Sequence, residues 1–544
     1  MLKALSYVPA SELDERVFAA TVPEDHYLRL VKAAVNFDRC RDILAAAYCS
    51  DQGRPAVEPL LLLKLEFLEY HYNLSDRQVM EQSRYNMAFR WFLDLSLESP
   101  LPHHTLLTYF RERLGSQKHQ AIFDEIVGQA RRRGLVKDRL RLKDATHMIA
   151  NIAIPSTIRL VSQIQERLLR ALRPWDPAGV ATAQGELIGL DRRTADLSAD
   201  ERLLQQVTHL RQLVTWAESV QQRPAFSEGK AVEPTAVEPS TVEPSTVERT
   251  ADEQKALTET LQLAHQILAD REAGQETIRS LVDPDARRGK HGGWYDGYLL
   301  DAAVDADSGI ITAMNVLSAH DNEGADVTTL LNHEEQVHGN DVQAVSIDGA
   351  GYQGPVLHEL TKPGGLQVEV FVPPKAAKET SFFTPEQFTL DATKTTLTCP
   401  GGQTTTKRRR GWKDHGWSFT FRRPSCAACP LQAQCVEALP KGCVGRTVNK
   451  SDYEMEYAAA QAKAQTPEYV AVRRQHWAIE RKLGELVRWH RARRARYWGQ
   501  TRVLLQGLLT AVVVNVKRLV ALTRPVLPDD GGGGTVRAGL VGQG

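Results

Sequence analysis

Across the middle of this chain, short apolar runs with strand character alternate with helical stretches, and two of the runs carry an aspartate near their ends. Asp144 lies in RLRLKDATHMIAN and Asp348 in VQAVSIDGAGYQG. The segment 139–154 alternates as a strand does, and Pro155 stops it. Strand signals resume at 297–304 and 310–317, with Asp307-Ser308-Gly309 as a hairpin turn between them. Residues 323–337 read as helix, 344–347 as a short buried strand ending at Asp348, 353–360 as helix, and 367–372 as a strand closed by Pro373-Pro374. Strand, strand, strand, helix, strand, helix, strand describes an α/β fold built on a mixed sheet with helices.

The flanking sequence divides the rest. Residues 1–136 read as an all-α domain. In it, Ser75 and Gln78 of SDRQ form a capping box, and a second short helix after Pro102 carries Leu106, Leu107, Phe110 and Leu114 at helical spacing. Arg111 and Arg113 fall on its other faces. A helix-turn-helix-like DNA reader and an ordinary helical bundle both fit that pattern. The first core strand occupies 137–155. A helical insertion spans 156–280 and holds AVEPTAVEPSTVEPSTVERT (231–250), whose recurrent prolines predict a disordered linker. The core resumes over 281–374. A cysteine-containing insertion covers 375–465, a long helix and an apolar helix fill 466–528, and the glycine-rich tail 529–544 is expected to be disordered.

With 544 residues, the chain exceeds one ordinary core. Its 42% hydrophobic and 25% charged content is that of a globular protein, and the formal net charge is zero. Basic residues nonetheless cluster at 131–133, 407–410 and 488–496, where they can meet phosphates or simply form solvated faces. Seven cysteines in this length do not make a disulfide framework. The N-terminus turns polar too early for a signal peptide. The apolar stretch 503–522 carries Gln506, Asn515, Lys517 and Arg518, so it reads as a buried or partner-packing helix and no membrane is expected. A cytoplasmic location follows.

Glu480 lies within a helix capped by Thr466 and opened by Pro467. Arg473, Trp477, Glu480, Gly484 and Val487 recur at intervals of three and four, a face expected to pack on the sheet. A buried carboxylate there needs a partner. Either a metal ion or a salt bridge to Arg473 or Arg481 would serve. Two strand-borne aspartates and a helix-borne glutamate can share hard divalent cations through oxygen ligands. Paired ions of this kind act on phosphate esters. Gly349 and Gly351 leave room for backbone approach beside Asp348.

These strings resemble those of bacterial insertion-sequence transposases of the DDE class. KDATHMIAN resembles the family's first-acid block. LVDPDARRGKHGGWYDGYLLDAAVDADSGIITAMNV resembles its next two strands, SIDGAGYQGPVLHEL its second-acid block, and YVAVRRQHWAIERKLGELVRWHRARRARYWG its glutamate helix. The N-terminal LLLKLEFLEYHYNLSDRQVM and PHHTLLTYFRERLG resemble the helical domain that precedes the core. The resemblance implies a ribonuclease-H-like (retroviral-integrase-like) core, with Asp144, Asp348 and Glu480 holding Mg²⁺ (or Mn²⁺), as two ions. It implies DNA strand cleavage followed by strand transfer of an insertion-sequence element. The implied partners are double-stranded DNA (terminal inverted repeats and target) and a second copy in a homodimer, at the bacterial nucleoid. Tyr469, Arg473 and Arg488 match positions that contact the DNA end, although His476 stands where relatives carry Arg, and Arg488 near where they carry Lys. Asp348 and Tyr352 are separated by three residues rather than the usual two.

Further DNA contacts are expected from Arg111, Arg113, Lys407, Arg408, Arg409, Arg493 and Arg494, the last two beside Tyr497 and Trp498. Cys399, Cys426, Cys429 and Cys435, with Cys443 beyond, could share a structural Zn²⁺ or remain free thiols. His103-His104 and His320-Asp321 lack ligand spacing and read as structural. A non-catalytic DNA-binding derivative and a nuclease without strand transfer are the competing functions.

Overall fold

The computed structural model describes residues 11–49, 55–223, 226, 246–375, 381–411, 415–436 and 444–524. The linker expected at 231–250 falls outside this range up to residue 245, as do the tail 529–544 and Cys443. The chain divides into two compact units, one formed by the chain up to residue 137 with 307–310 and the segment from 511 onward, the other by 138–306 and 311–510.

The first unit is helical: α1 (Glu12–Thr21), α2 (Tyr27–Ala34), α3 (Arg41–Ala45), α4 (Pro59–His71), α5 (Asp76–Tyr85), α6 (Met87–Phe92) and α7 (Thr105–Arg132). The Ser75–Gln78 capping box opens α5 as its sequence predicts. The apolar run of α4 is buried on nearly all sides, so its three charged side chains all need partners. Lys64 pairs with Asp94, the His119 ring lies 3.2 Å from Glu66, and Arg111 donates to Glu69 at 2.9 Å and to Asp76 at 2.7 Å. Arg111 is therefore buried, not on the outer face expected from the sequence. Arg113 is exposed, with its guanidinium 4.5 Å from the Tyr48 ring centre. The short helix expected after Pro102 continues to Arg132, broken only by the non-helical backbone of Gly115.

The second unit holds a six-stranded sheet. Its central strand β1 (Arg141–Ile149) runs antiparallel to β3 (Gly293–Asp305) across nine residue pairs. The far edge of β3 pairs with β2 (Arg287–His291) and β4 (Ile311–Ser318), both antiparallel. On its other side β1 pairs in parallel with β5 (Ala344–Ser346), which pairs in parallel with β6 (Glu369–Phe371). The turn between β3 and β4 ends on Gly309 with φ of 70°, a conformation glycine adopts without steric cost. Arg141, fully buried at the start of β1, donates to Glu334 at 3.0 Å and to Asp305 at 2.9 Å.

Helices α8 (Thr157–Leu172), α9 (Pro177–Arg193), α10 (Ala199–Gln221) and α11 (Thr246–Glu272) are inserted after β1. Leu160, Ile164 and Leu168, one turn apart on α8, meet Leu210, Leu213, Leu257 and Ala264 in one apolar core. Helix α12 (Val327–His338) ends on left-handed Gly339. With α13 (Gly354–Thr361) it packs on β5 through Val327, Leu331, Val345, Ile347 and Leu357.

The cysteine-containing segment folds as two three-stranded sheets, β7–β9 (between Thr389 and Thr405) and β10–β12 (between Arg408 and Lys450), with the short helix α14 (Arg423–Ala427). Then come α15 (Glu454–Lys463), α16 (Pro467–Trp489) and α17 (Gln500–Thr523). Thr466 caps α16 by accepting from the Tyr469 amide at 3.2 Å. Helix α17 is long and apolar enough to cross a membrane, yet most of it is buried within the protein, the packing role its polar residues predict.

Candidate active site

Asp144 sits in the middle of β1, not at its end. Its position is special for a different reason. The parallel partner β5 pairs only with Arg141 and Leu142, so the sheet opens beside Asp144 where β5 gives way to Ile347 and Asp348. The Asp348 carboxylate caps the turn that follows, accepting from the Ala350 amide at 3.0 Å. That turn must pass close to a second loop. A Cβ on Gly324 would lie 2.5 Å from the Gly351 Cα, and one on Gly351 would lie 2.4 Å from the Ile347 side chain. Only glycines permit both approaches.

The approach brings Glu323 to the aspartates. Asp144, Glu323 and Asp348 each offer a carboxylate oxygen, all within 4.8 Å of one another, and all three residues are half-buried. Burial, and then the neighbouring charges of Asp348 and Glu323, push the Asp144 carboxyl up to about 6. Burial and then the Asp348 charge raise that of Glu323 as well. Half-buried acids that repel one another, with oxygen atoms converging, are what a hard divalent cation binds.

Glu323 is not a residue the sequence pattern marks. The segment 323–337 reads as helix, but α12 starts only at Val327, leaving Glu323 in the preceding turn. Conversely, Glu480 is exposed on α16. The buried face of that helix is Val472, His476, Ile479, Leu483 and Leu486, and Trp477, expected to pack on the sheet, is 61% exposed. The Arg473–Glu480 face instead borders the site. Arg473 donates to the Ile347 carbonyl at 2.7 Å and to the Ser346 hydroxyl at 3.1 Å. Burial lowers the Arg473 pKa, against the opposing charges of Tyr469, Asp348, Asp144 and Glu480. Gly484, one turn past Glu480, faces open space.

His476 occupies the buried side of the same turn, its Nδ1 3.1 Å from Ser346 Oγ. Burial and then the Arg473 charge push it down to about 4, so a neutral imidazole stands at this place on the helix. At the end of α16 the chain returns to β1. The Ile149 amide donates to the Arg493 carbonyl at 2.8 Å, and the Ala495 amide to the Ile149 carbonyl at 2.9 Å. Arg493 is half-buried and donates to the His147 carbonyl. Arg488 and Arg494 are exposed, and Tyr469 is half-buried.

The remaining basic candidates lie on the β10–β12 sheet. Lys407 and Arg409 are exposed. The Arg408 and Arg410 guanidiniums flank the Trp417 ring at 4.0 and 4.9 Å from its centre, and an open cavity of about 600 Å³ runs along Arg409, Arg410, Trp417 and Lys450.

Nearby, Cys399, Cys426, Cys429 and Cys435 line one small cavity with Phe388 and Phe421, and none forms a disulfide. The Gln403 amide points at Cys399 Sγ (3.3 Å) and the Arg446 amide at Cys426 Sγ (3.4 Å). Burial and then the other three thiols raise the Cys435 pKa, with Arg446 opposing.

Residues 16–113 match the family described as transposase domain (DUF772), and residues 398–520 match the family described as transposase DDE domain. No curated protein and no solved structure matches the chain. The second match takes in the cysteine cluster and all of α16, while Asp144 and Asp348 lie upstream of it, the main chain before Asp348 being tied to α16 by Arg473. A transposase domain and a transposase DDE domain, matched in sequence on either side of the strands that gather the carboxylates, support reading this chain as a DNA transposase of a mobile element, of the DDE class.

Proposed function

We propose that this transposase cuts the ends of its element and joins them to target DNA at the acidic site between β1, β5 and α16. The observation that carries the reading is the convergence of Asp144 and Asp348, more than 200 residues apart in sequence, into one carboxylate group beside the helix that bears Glu480. A ribonuclease-H-like core fits the strand order β4-β3-β1-β5-β6, antiparallel on one side of β1 and parallel on the other.

Asp144, Asp348 and Glu480 would hold Mg²⁺ (or Mn²⁺), as two ions, which supply positive charge to the phosphate oxygens and acidify a bound water. The carboxylates fit such ions, since oxygen donors are the right ligands and burial with mutual repulsion leaves Asp144 in want of a positive partner. Glu480, exposed on the helix face that also carries Arg473, would join the aspartates once DNA is bound. Arg473 fixes the main chain just before Asp348, and with Tyr469 and Arg488 it borders the path of the DNA end. Water attacks the phosphodiester and releases a 3′-hydroxyl; that hydroxyl then attacks a target phosphodiester and displaces a second 3′-oxygen. No covalent link between protein and DNA is involved.

Arg113 of the N-terminal domain, Lys407 to Arg409 on the β10–β12 sheet, and Arg493 and Arg494 would contact the DNA backbone. Arg111, held by Glu69 and Asp76, is not carried forward. Coupling two terminal inverted repeats calls for a homodimer acting at the bacterial nucleoid. The four clustered thiols suit a tetrahedral Zn²⁺ that braces the insertion, because amide donors directed at sulfur favour thiolate over thiol. The test is Mg²⁺-dependent nicking of a duplex carrying the element's own terminus, followed by joining of the freed 3′-end to plasmid DNA. Nicking without joining would mark a nuclease, and binding without nicking a non-catalytic derivative.

A further inference from the structure

Lys143 and Glu323 are charged residues beside the site that the DDE pattern leaves without a role. Lys143 adjoins Asp144 on β1 but points to the other side of the strand, as neighbours on a strand do. It is almost fully buried, and its ammonium lies 2.9 Å from Asp301 of β3, which is itself inaccessible to solvent. Sealing an ion pair in a protein interior costs more than an apolar pair of the same volume, so its position calls for a reason. The Lys143 ammonium also donates to the main-chain carbonyl of Glu323. The buried pair thus reaches out to one loop and grips it at the residue whose carboxylate joins Asp144 and Asp348.

The grip is reinforced on the other side of the same residue. Gly324 lies against the turn after Asp348 so closely that no side chain fits between them, and its amide is held by Asn322 Oδ1 at 3.0 Å. Asn315 of β4 then donates to Asp326 at 2.9 Å, immediately before α12 begins. Glu323 is therefore fixed from β1, from the Asp348 turn and from its own loop, and its carboxylate is within 4.8 Å of both aspartates.

We propose that Glu323 is a fourth acid of the active site, sharing a divalent cation with Asp144 and Asp348 before DNA binds, and that Lys143 is the residue that positions it. The inference rests on the transposase reading of the site and deepens it. Glu323 and the two aspartates already stand together in the DNA-free protein, so it binds one cation through them. Glu480 completes the set from α16 when a phosphate enters. A site assembled in this order stays incomplete until DNA is present.

The test is titration of the full-length, DNA-free protein with Mn²⁺, read by the electron paramagnetic resonance of free Mn²⁺, with strand cleavage measured in parallel. Glu323→Gln is expected to weaken Mn²⁺ binding by about tenfold or more, as are Asp144→Asn and Asp348→Asn, with the thermal midpoint of unfolding kept near that of the unaltered protein. Lys143→Met should weaken Mn²⁺ binding as well, and Lys143→Arg, which keeps a donor of similar reach, should recover part of it. Because Lys143→Met removes half of a buried pair, Lys143→Met/Asp301→Leu serves where the single variant fails to fold. Unchanged Mn²⁺ affinity in Glu323→Gln, while Asp144→Asn and Asp348→Asn lose it, overturns the role of Glu323 and leaves the transposase reading standing. Normal affinity and normal cleavage in all three overturn both.

Discussion

Arg473 of α16 donates a hydrogen bond at 2.7 Å to the main-chain carbonyl of Ile347, the residue before Asp348. The helix that carries Glu480 is thereby tied to the strand end that carries the second aspartate, and the same guanidinium bonds Ser346 Oγ at 3.1 Å. Replacing Arg473 with Met keeps most of the stem and removes both bonds. Strand cleavage should fall by roughly tenfold to a hundredfold, because a charge-assisted hydrogen bond contributes about 1.5–3 kcal/mol. A cleavage time course at saturating DNA, set beside a thermal melt that moves little, checks this.

The Arg141 cluster should behave as a fold anchor, not as part of the chemistry. Arg141 and Glu334 are both fully buried, and removing one partner strands the other charge. Arg141→Met is expected to cost about 3–5 kcal/mol of stability, measured by urea unfolding. Arg141→Met/Glu334→Leu should lose less than Arg141→Met alone, because one of the two buried carboxylates left without Arg141 is then gone and only Asp305 remains.

His476 makes stability depend on pH. Its folded pKa, about 4, lies below the ordinary histidine value of 6.5, so the unfolded chain takes up a proton that the folded one refuses. The contribution is intact above about pH 6.5 and is lost as pH falls toward 4. The loss should approach roughly 2–3 kcal/mol by pH 4. Unfolding free energies of the native protein and of His476→Gln, compared at pH 7 and pH 5, should diverge at the higher pH and converge at the lower.

The cysteine cluster gives a metal-removal test. Purified protein should carry close to one zinc per chain by elemental analysis, and Cys426→Ser and Cys429→Ser should carry much less. A strong chelator should lower the thermal midpoint of the native protein and leave that of the serine variants unmoved, since metal binding and folding of such a segment are coupled.

Much of this is legible in the sequence because its signals are local. The Ser75 capping box, the Thr466 cap, the hairpin turn at 307–309 and the order of β1, β3, β4, β5 and β6 follow from patterns a few residues long, and the structure reproduces each, while β2 at Arg287–His291 goes unread. What is illegible depends on contacts between distant segments. Arg111 has the spacing of an outer-face residue, but the buried acids of α4 draw it inward. Trp477 suggests packing by its size, whereas α16 buries the neighbouring face led by Val472 and Ile479. Asp144 resembles a strand-end residue because β5 stops beside it, not because β1 does. Glu323 sits within a helical pattern whose helix begins four residues later. A glycine directly after it, in a loop rich in acids, is the one available hint.

Cleavage by the three acids is tested most directly on a labelled duplex bearing the element's terminus. Asp144→Asn, Asp348→Asn and Glu480→Gln should each abolish Mg²⁺-dependent nicking, while mobility-shift binding of the same duplex stays within a few-fold of the native protein. Normal nicking by any one of these variants contradicts catalysis by this set of carboxylates.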